Sequence, residues 1–199
     1  MSPRESSNDV KAMHTWRAVY ADSLEQVRMN INGRRIRAYG RIISAAADDH
    51  EAFSVSYEFV TNDNGSTRRL SVRMLKASGE SALDISRDMD GRWMVQTPDS
   101  IVRSDFAGAD TVDLWHSPFL KSAVIRRHGL LGGQAAIDVP VVELSLPEFS
   151  VDLIEKSYTF DRVGSAEGAV TMSSARGSWD MTVDEFGLIT SFSGIADRL

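Results

Sequence analysis

Apolar and polar residues alternate along most of this chain with a period of two, a pattern that dictates strands with one dry and one wet face. Ile36, Ala38, Gly40 and Ile42 share one parity, with Arg35, Arg37, Tyr39 and Arg41 on the other. Phe53, Val55, Tyr57 and Phe59 alternate with Ser54, Ser56 and Glu58, and Leu70, Val72 and Met74 with Ser71 and Arg73. Phe149, Val151 and Leu153 read the same way, as do Trp179, Met181 and Val183. Turn chemistry falls between the runs, at Asn32-Gly33, Asn62-Asp63-Asn64-Gly65, Ser78-Gly79, Asp90-Gly91 and Asp184-Glu185-Phe186-Gly187. Short loops between consecutive strands make them antiparallel neighbours. The expectation is therefore an all-β fold with minor helix, a meander of about ten strands. A sheet that large must curl, close or split, so it should be strongly curved and form a partly closed barrel or half-barrel.

Residues 1–12 read as a flexible polar tail and 13–199 as a single β-rich domain, a size that one all-β unit fills. One helix is signalled, over 117–129: Ser117 as N-cap, Pro118 in the first turn, Arg126-Arg127 at the basic end and Gly129 as the stop. Residues 97–112 read as irregular, and Gly129-Leu130-Leu131-Gly132-Gly133 as a bend before a strand starting near Ala135.

Cysteine is absent, which excludes disulfides, thiolate metal sites and a cysteine nucleophile. The polar start, Met-Ser-Pro-Arg-Glu-Ser-Ser-Asn-Asp, lacks the apolar core of a signal peptide, and no apolar run approaches the ~20 residues of a membrane span. A cytoplasmic location is expected. The net charge of −6 argues against nucleic acid as the main partner. Eighteen of the 22 basic residues are arginine, crowded at 28–41, 68–73 and 126–127. They suit cross-strand pairs with the chain's carboxylates, or a guanidinium lining for an anionic or hydroxyl-rich headgroup.

Catalytic signatures are sparse. No serine sits in a Gly-x-Ser-x-Gly elbow, and His14, His50, His116 and His128 have no metal-ligand spacing. No metal or cofactor is expected, and the balance is against an enzyme. The segment 110–130 nevertheless gathers Asp110, Asp113, Trp115, His116, Ser117-Pro118, Arg126 and Arg127 at a break in the alternation, where a scaffold can hold varied chemistry. Asp110 or Asp113 with His116 is the enzymatic alternative; turn bonds and caps are the ordinary reading of both carboxylates. Trp115 is a candidate ligand contact, whereas Trp93 and Trp179 belong to alternating runs and suit the core.

Several segments in order resemble the putative glycolipid-binding family of bacterial β-rich proteins, from about Trp16 to Arg198. They are Trp16 with Glu25, Gly40 before Tyr57, Asp63 with Thr67-Arg68, and Gly91 with Trp93. The central block holds Val112-Asp113-Leu114, Ser117-Pro118-Phe119 and Ile125-Arg126-Arg127. Val141 to Leu146, Tyr158, Val183-Asp184 with Gly187-Leu188-Ile189, Gly194 and Arg198 complete the match. Leu120-Lys121 and Ala123-Val124 stand where the family pattern has Thr-Asn and Leu-Pro, and Ser66 where it has an aromatic. The resemblance implies a curved sheet similar to bacterial lipoprotein carriers, with a cavity for an amphipathic lipid or glycolipid. The family's proline before Ile125 also shifts the expectation for 123–130 from helix to extended strand. Candidate ligand contacts are Arg68, Arg73, Asp113, Trp115, Arg126, Arg127 and Tyr57. An interaction module with a packed core is the remaining alternative.

Overall fold

The computed structural model describes residues 9–115, 117–129, 136–163 and 167–199. Eight strands follow one another as a meander: β1 (Val10–Ala18), β2 (Ser23–Asn32), β3 (Arg35–Ser44), β4 (Phe53–Thr61), β5 (Thr67–Lys76), β6 (Gly79–Arg87), β7 (Trp93–Gln96) and β8 (Ile101–Ser104). A short 3-10 turn at Phe106–Gly108 leads to β9 (Thr111–Leu114) and the one described helix, α1 (Pro118–Arg127). A second meander completes the chain: β10 (Ala136–Ser145), β11 (Ser150–Val163), β12 (Glu167–Ser174), β13 (Gly177–Val183), β14 (Ile189–Phe192) and β15 (Ala196–Arg198).

All fifteen described strands form one sheet, in the order β8 to β1 and then β15 down to β9. The two meanders are sewn together where Trp16, Arg17 and Ala18 of β1 pair with Arg198, Asp197 and Ala196 of β15. The fold is all-β, as the alternation requires, and the sheet curves without closing into a barrel. Its curl is nonetheless tied back on itself. Thr67, at the start of β5, donates its N–H to Asp110 O (2.8 Å) and accepts the Val112 N–H at its hydroxyl (2.9 Å). Trp93 Nε1 adds a bond to Ala109 O, 2.8 Å.

Four expectations need correction. The strands outnumber the ten expected because β7, β8, β9, β14 and β15 span three or four residues each, too short to show a period. The segment 97–112 is not irregular throughout, since it contains β8 and the start of β9. Pairing is not wholly antiparallel: β9 runs parallel to β10, Asp113 opposite Glu143, because α1 carries the chain back to the same end of the sheet. Residues 123–127 are helical, not extended. Ser117 Oγ accepts the Leu120 N–H, Pro118 takes the first position, and Gly129 ends the helix at φ +65°. With Val124 before Ile125 instead of a proline, no N–H is missing from the ladder.

Helix α1 lies inside the curve. Every residue from Pro118 to Ile125 is buried, Lys121 and Ser122 included, as befits a helix enclosed on all sides. β9 and the Val141–Leu144 part of β10 are likewise buried on both faces. These three elements divide the interior. Phe119, Leu120 and Ala123 pack toward β2–β7, whereas Val124 and Ile125 pack toward β11–β14. The concave face is therefore filled by a helix over this stretch. Among the described residues, open space lies at the end that carries the β1–β2 loop.

Candidate functional site

A cleft of about 170 Å³ opens at the end of the sheet carrying the β1–β2 and β3–β4 loops and the β10–β11 turn. Its walls include Trp16, His50, Phe53 and Trp115, with Pro118 from the first turn of α1 and Glu25 lower down. Glu25 follows from parity. It shares the inward face of β2 with Val27, Met29 and Ile31, a carboxylate in an apolar row. Its register partner is Ile42, one inward step below the layer formed by Ser23, Ser44 and Phe53 at the mouth.

The buried carboxylate is held by three donors. Oε1 accepts from Tyr57 Oη (2.7 Å) and Ser117 Oγ (2.6 Å), and Oε2 accepts from Phe119 N at 3.3 Å. Gly40 makes the first bond possible: a Cβ there would lie 2.0 Å from the Tyr57 ring, so only glycine lets the phenol cross β3 to reach Glu25. Ser117 serves twice, capping α1 and donating to Glu25. Burial pushes the Glu25 pKa up, although Ser117, Tyr57, the Phe119 amide and the Lys121 charge pull the other way. Oε2, with its single long bond, keeps acceptor capacity for a ligand hydroxyl.

Behind Trp115 lies a buried ionic cluster. Asp113 Oδ2 accepts from Lys121 Nζ (3.1 Å) and Lys156 Nζ (2.6 Å). Lys156 also meets Glu143 Oε2 at 2.5 Å, and Glu143 Oε1 takes Arg176 Nη1 at 2.5 Å. Asp113, Lys121, Glu143 and Lys156 are each at most 1 % exposed, so these charges rely on one another and not on water. Arg176, Lys121 and Lys156 stand 5.1, 5.2 and 5.8 Å from the centroid of the Trp115 ring, and Trp179 meets it edge-on at 5.2 Å. That arrangement fixes the indole at the cleft wall. Burial raises the Asp113 pKa, but Lys121 and Lys156 outweigh it and hold the carboxyl below its usual range. Burial lowers Lys121; at Lys156 burial also lowers, yet Asp113 and Glu143 prevail and raise it.

The residues singled out from the sequence do not form one site. Trp115 lines the cleft, and Tyr57 anchors Glu25 beneath it. Asp113 belongs to the ionic cluster. Arg126 reaches Phe186 O and, at 2.6 Å, Gly33 O, while Arg127 binds Asp110 Oδ2 (2.6 Å) and Asn64 O (3.1 Å). The pair clamps the C-terminal end of α1 to turns at the far end of the sheet. Arg68 and Arg73 are exposed on the outer surface, each in a separate shallow groove. Asp110 is thus engaged with Arg127, well separated in role from Asp113, and His116 lies outside the described residues. Sequence reasoning passed over Glu25, His50, Lys121 and Lys156 as site residues. Glu25 alone of these carried a legible signal, a charge at a dry-face position of its strand.

No metal-binding group of His, Asp or Glu occurs among the described residues. No described helix is long and apolar enough to cross a membrane. Curated proteins give no match to the chain. Among solved structures, a DUF1089 family protein from Pseudomonas aeruginosa has a similar fold, with a TM-score of 0.68 over 88% of this chain and 92% of that one, at 20% identity. The sequence profile described as putative glycolipid-binding matches residues 13–198, nearly the whole chain. On that match the chain belongs to the putative glycolipid-binding family.

Proposed function

We propose that the protein holds an amphipathic glycolipid by its sugar end, with the headgroup in the cleft above Glu25 and the hydrocarbon outside. The observation that carries this reading is a buried carboxylate with spare acceptor capacity at the floor of an aromatic-walled cleft. Carboxylates accept sugar hydroxyls, and indole or phenyl rings pack against the apolar C–H faces of sugars. The size also argues for the headgroup alone: about 170 Å³ falls below the ~300–1,000 Å³ that enclose a drug-sized ligand. The family description, glycolipid-binding, agrees in ligand class. A cytoplasmic location is part of the same proposal and is checked by cell fractionation.

Native mass spectrometry of the purified protein, with lipid extraction, tests the reading directly. Titration with an alkyl glycoside, followed by tryptophan fluorescence, should report Trp16 and Trp115 at the cleft. Glu25→Gln should weaken that binding about tenfold, about 1.4 kcal/mol, while leaving the circular dichroism unchanged. A protein that carries no lipid and takes up neither alkyl glycosides nor fluorescent glycolipids would end the proposal.

A further inference from the structure

The outer face of β2–β5 is arginine-rich in a way that cross-strand pairing does not account for. Register sets its side chains in rows across the four strands: Leu24–Ile43–Ser54–Leu75, then Gln26–Arg41–Ser56–Arg73, then Arg28–Tyr39–Glu58–Ser71, then Asn30–Arg37–Val60–Arg69. Successive rows are about 7 Å apart, two residues along a strand. With Arg35 beyond the last row, six exposed arginines share this face with one carboxylate, Glu58. Glu58 is already divided between Arg37 and Arg69, at 3.2 Å each. Arg35 has a distant partner in Asp63, 3.7 Å away in a turn. Arg28, Arg41 and Arg73 sit opposite Tyr39, Met13, Gln26, Ser56 and Ala82, and none of these is a carboxylate. A surplus of five positive charges on one face of a chain whose net charge is −6 is a segregated field, not a solvated average.

The first row supplies a second observation. Leu24 and Ile43 are register partners, 39 and 61% exposed, and Leu75, 50% exposed, stands in the same row on the far side of Ser54; each is one residue in from the end of its strand, at the cleft end of the same face. An apolar edge bordering a field of guanidinium groups is the chemistry of an interfacial surface, with hydrocarbon for the acyl boundary and bidentate donors for lipid phosphates. We propose that this outer face of β2–β5 docks the protein on an anionic lipid surface, Leu24, Ile43 and Leu75 entering the headgroup layer and Arg41 and Arg73 pairing with phosphates. The docking stands on a different surface from the cleft and does not depend on what the cleft holds.

Flotation with phosphatidylcholine vesicles, plain or containing about one-quarter phosphatidylglycerol, tests it. The expected result is flotation with the anionic vesicles alone, lost as salt rises from about 0.05 to about 0.5 M because the field is then screened. The double variant Arg41→Glu/Arg73→Glu should lower vesicle affinity at least tenfold, and the neutral Ile43→Ser should lower it without changing the salt dependence. Arg92→Glu, an exposed reversal in the β6–β7 turn, should leave it unchanged. Equal binding to neutral and anionic vesicles, an unaffected double variant, or a salt-sensitive complex with single-stranded RNA in place of vesicles would overturn the proposal. So would a dimer, seen by sedimentation, that Ile43→Ser dissociates. Alkyl glycoside titration of the same variants separates this outcome from failure of the cleft reading.

Discussion

Replacing Gly40 by alanine should be among the most damaging single-methyl additions to this fold. The new Cβ would sit 2.0 to 2.4 Å from Cζ, Cε1 and the hydroxyl of Tyr57, so the ring must leave. Tyr57 is 4% exposed and enclosed by the core of β2–β7, so its displacement overpacks a filled interior at about 1–3 kcal/mol. It also breaks the 2.7 Å bond to the Glu25 carboxylate, a charge-assisted bond worth about 1.5–3 kcal/mol. The total, about 2.5–6 kcal/mol, reaches at its upper end the whole stability of a marginal domain. Urea unfolding should show a midpoint lower by about 1–3 M. In a Tyr57→Leu background the ring is gone, and Gly40→Ala should then cost under about 1 kcal/mol, giving a large coupling energy in the double-mutant cycle. If Gly40→Ala costs under about 1 kcal/mol in the natural chain, or the two substitutions simply add, the close approach of Tyr57 to β3 is not what holds Glu25 in place.

Lys156→Met leaves Asp113 and Glu143 buried without their shared cation and should cost about 3–5 kcal/mol, a fall in Tm of about 10 °C by differential scanning calorimetry. A fall under about 3 °C would show that water reaches the cluster. Ser117→Ala removes both the α1 cap and a donor to Glu25, so a loss of about 2–4 kcal/mol is expected in urea, with Ser117→Thr recovering most of it. The raised pKa of Glu25 carries a sign. Below the unfolded value, near 4.3, both states hold the proton and nothing is lost. As pH rises past it the unfolded chain ionises first, so stability falls until the folded carboxyl also ionises. Urea midpoints between pH 4 and 7 should show this falling limb, and Glu25→Gln should remove it; an unchanged profile refutes the burial argument.

The alternation of Ile36 to Ile42, Phe53 to Phe59 and Leu70 to Met74 made the N-terminal meander legible, because each run is long enough to show its period and is bounded by a turn sequence. β11 was harder. Its dry face is carried by Lys156, Tyr158 and Phe160, and a lysine in an inward row reads as a solvent position unless its carboxylate partners are known. Those partners come from β9 and β10, which no local pattern brings together. The cap, proline and glycine of α1 were in plain view, yet its place inside the sheet was not. A helix buried on every side loses the polar stripe that would mark it, and Lys121 and Ser122 obscure it further. The cleft was legible only in part. Trp115 stood out by its irregular surroundings, whereas Glu25 needed the parity of β2 to be read as an exception and not as noise.

The seam between β1 and β15 has a consequence for biosynthesis. The N-terminal meander can pair strand by strand as it leaves the ribosome, but the open flank of β1 at Trp16–Ala18 has no neighbour until residues 196–198 have been translated. Throughout that interval nascent chains present an unsatisfied row of amides and carbonyls to one another, a template for misassembly. Three residues of the strand most distant from it in sequence, Ala196 to Arg198, are what withdraw that hazard.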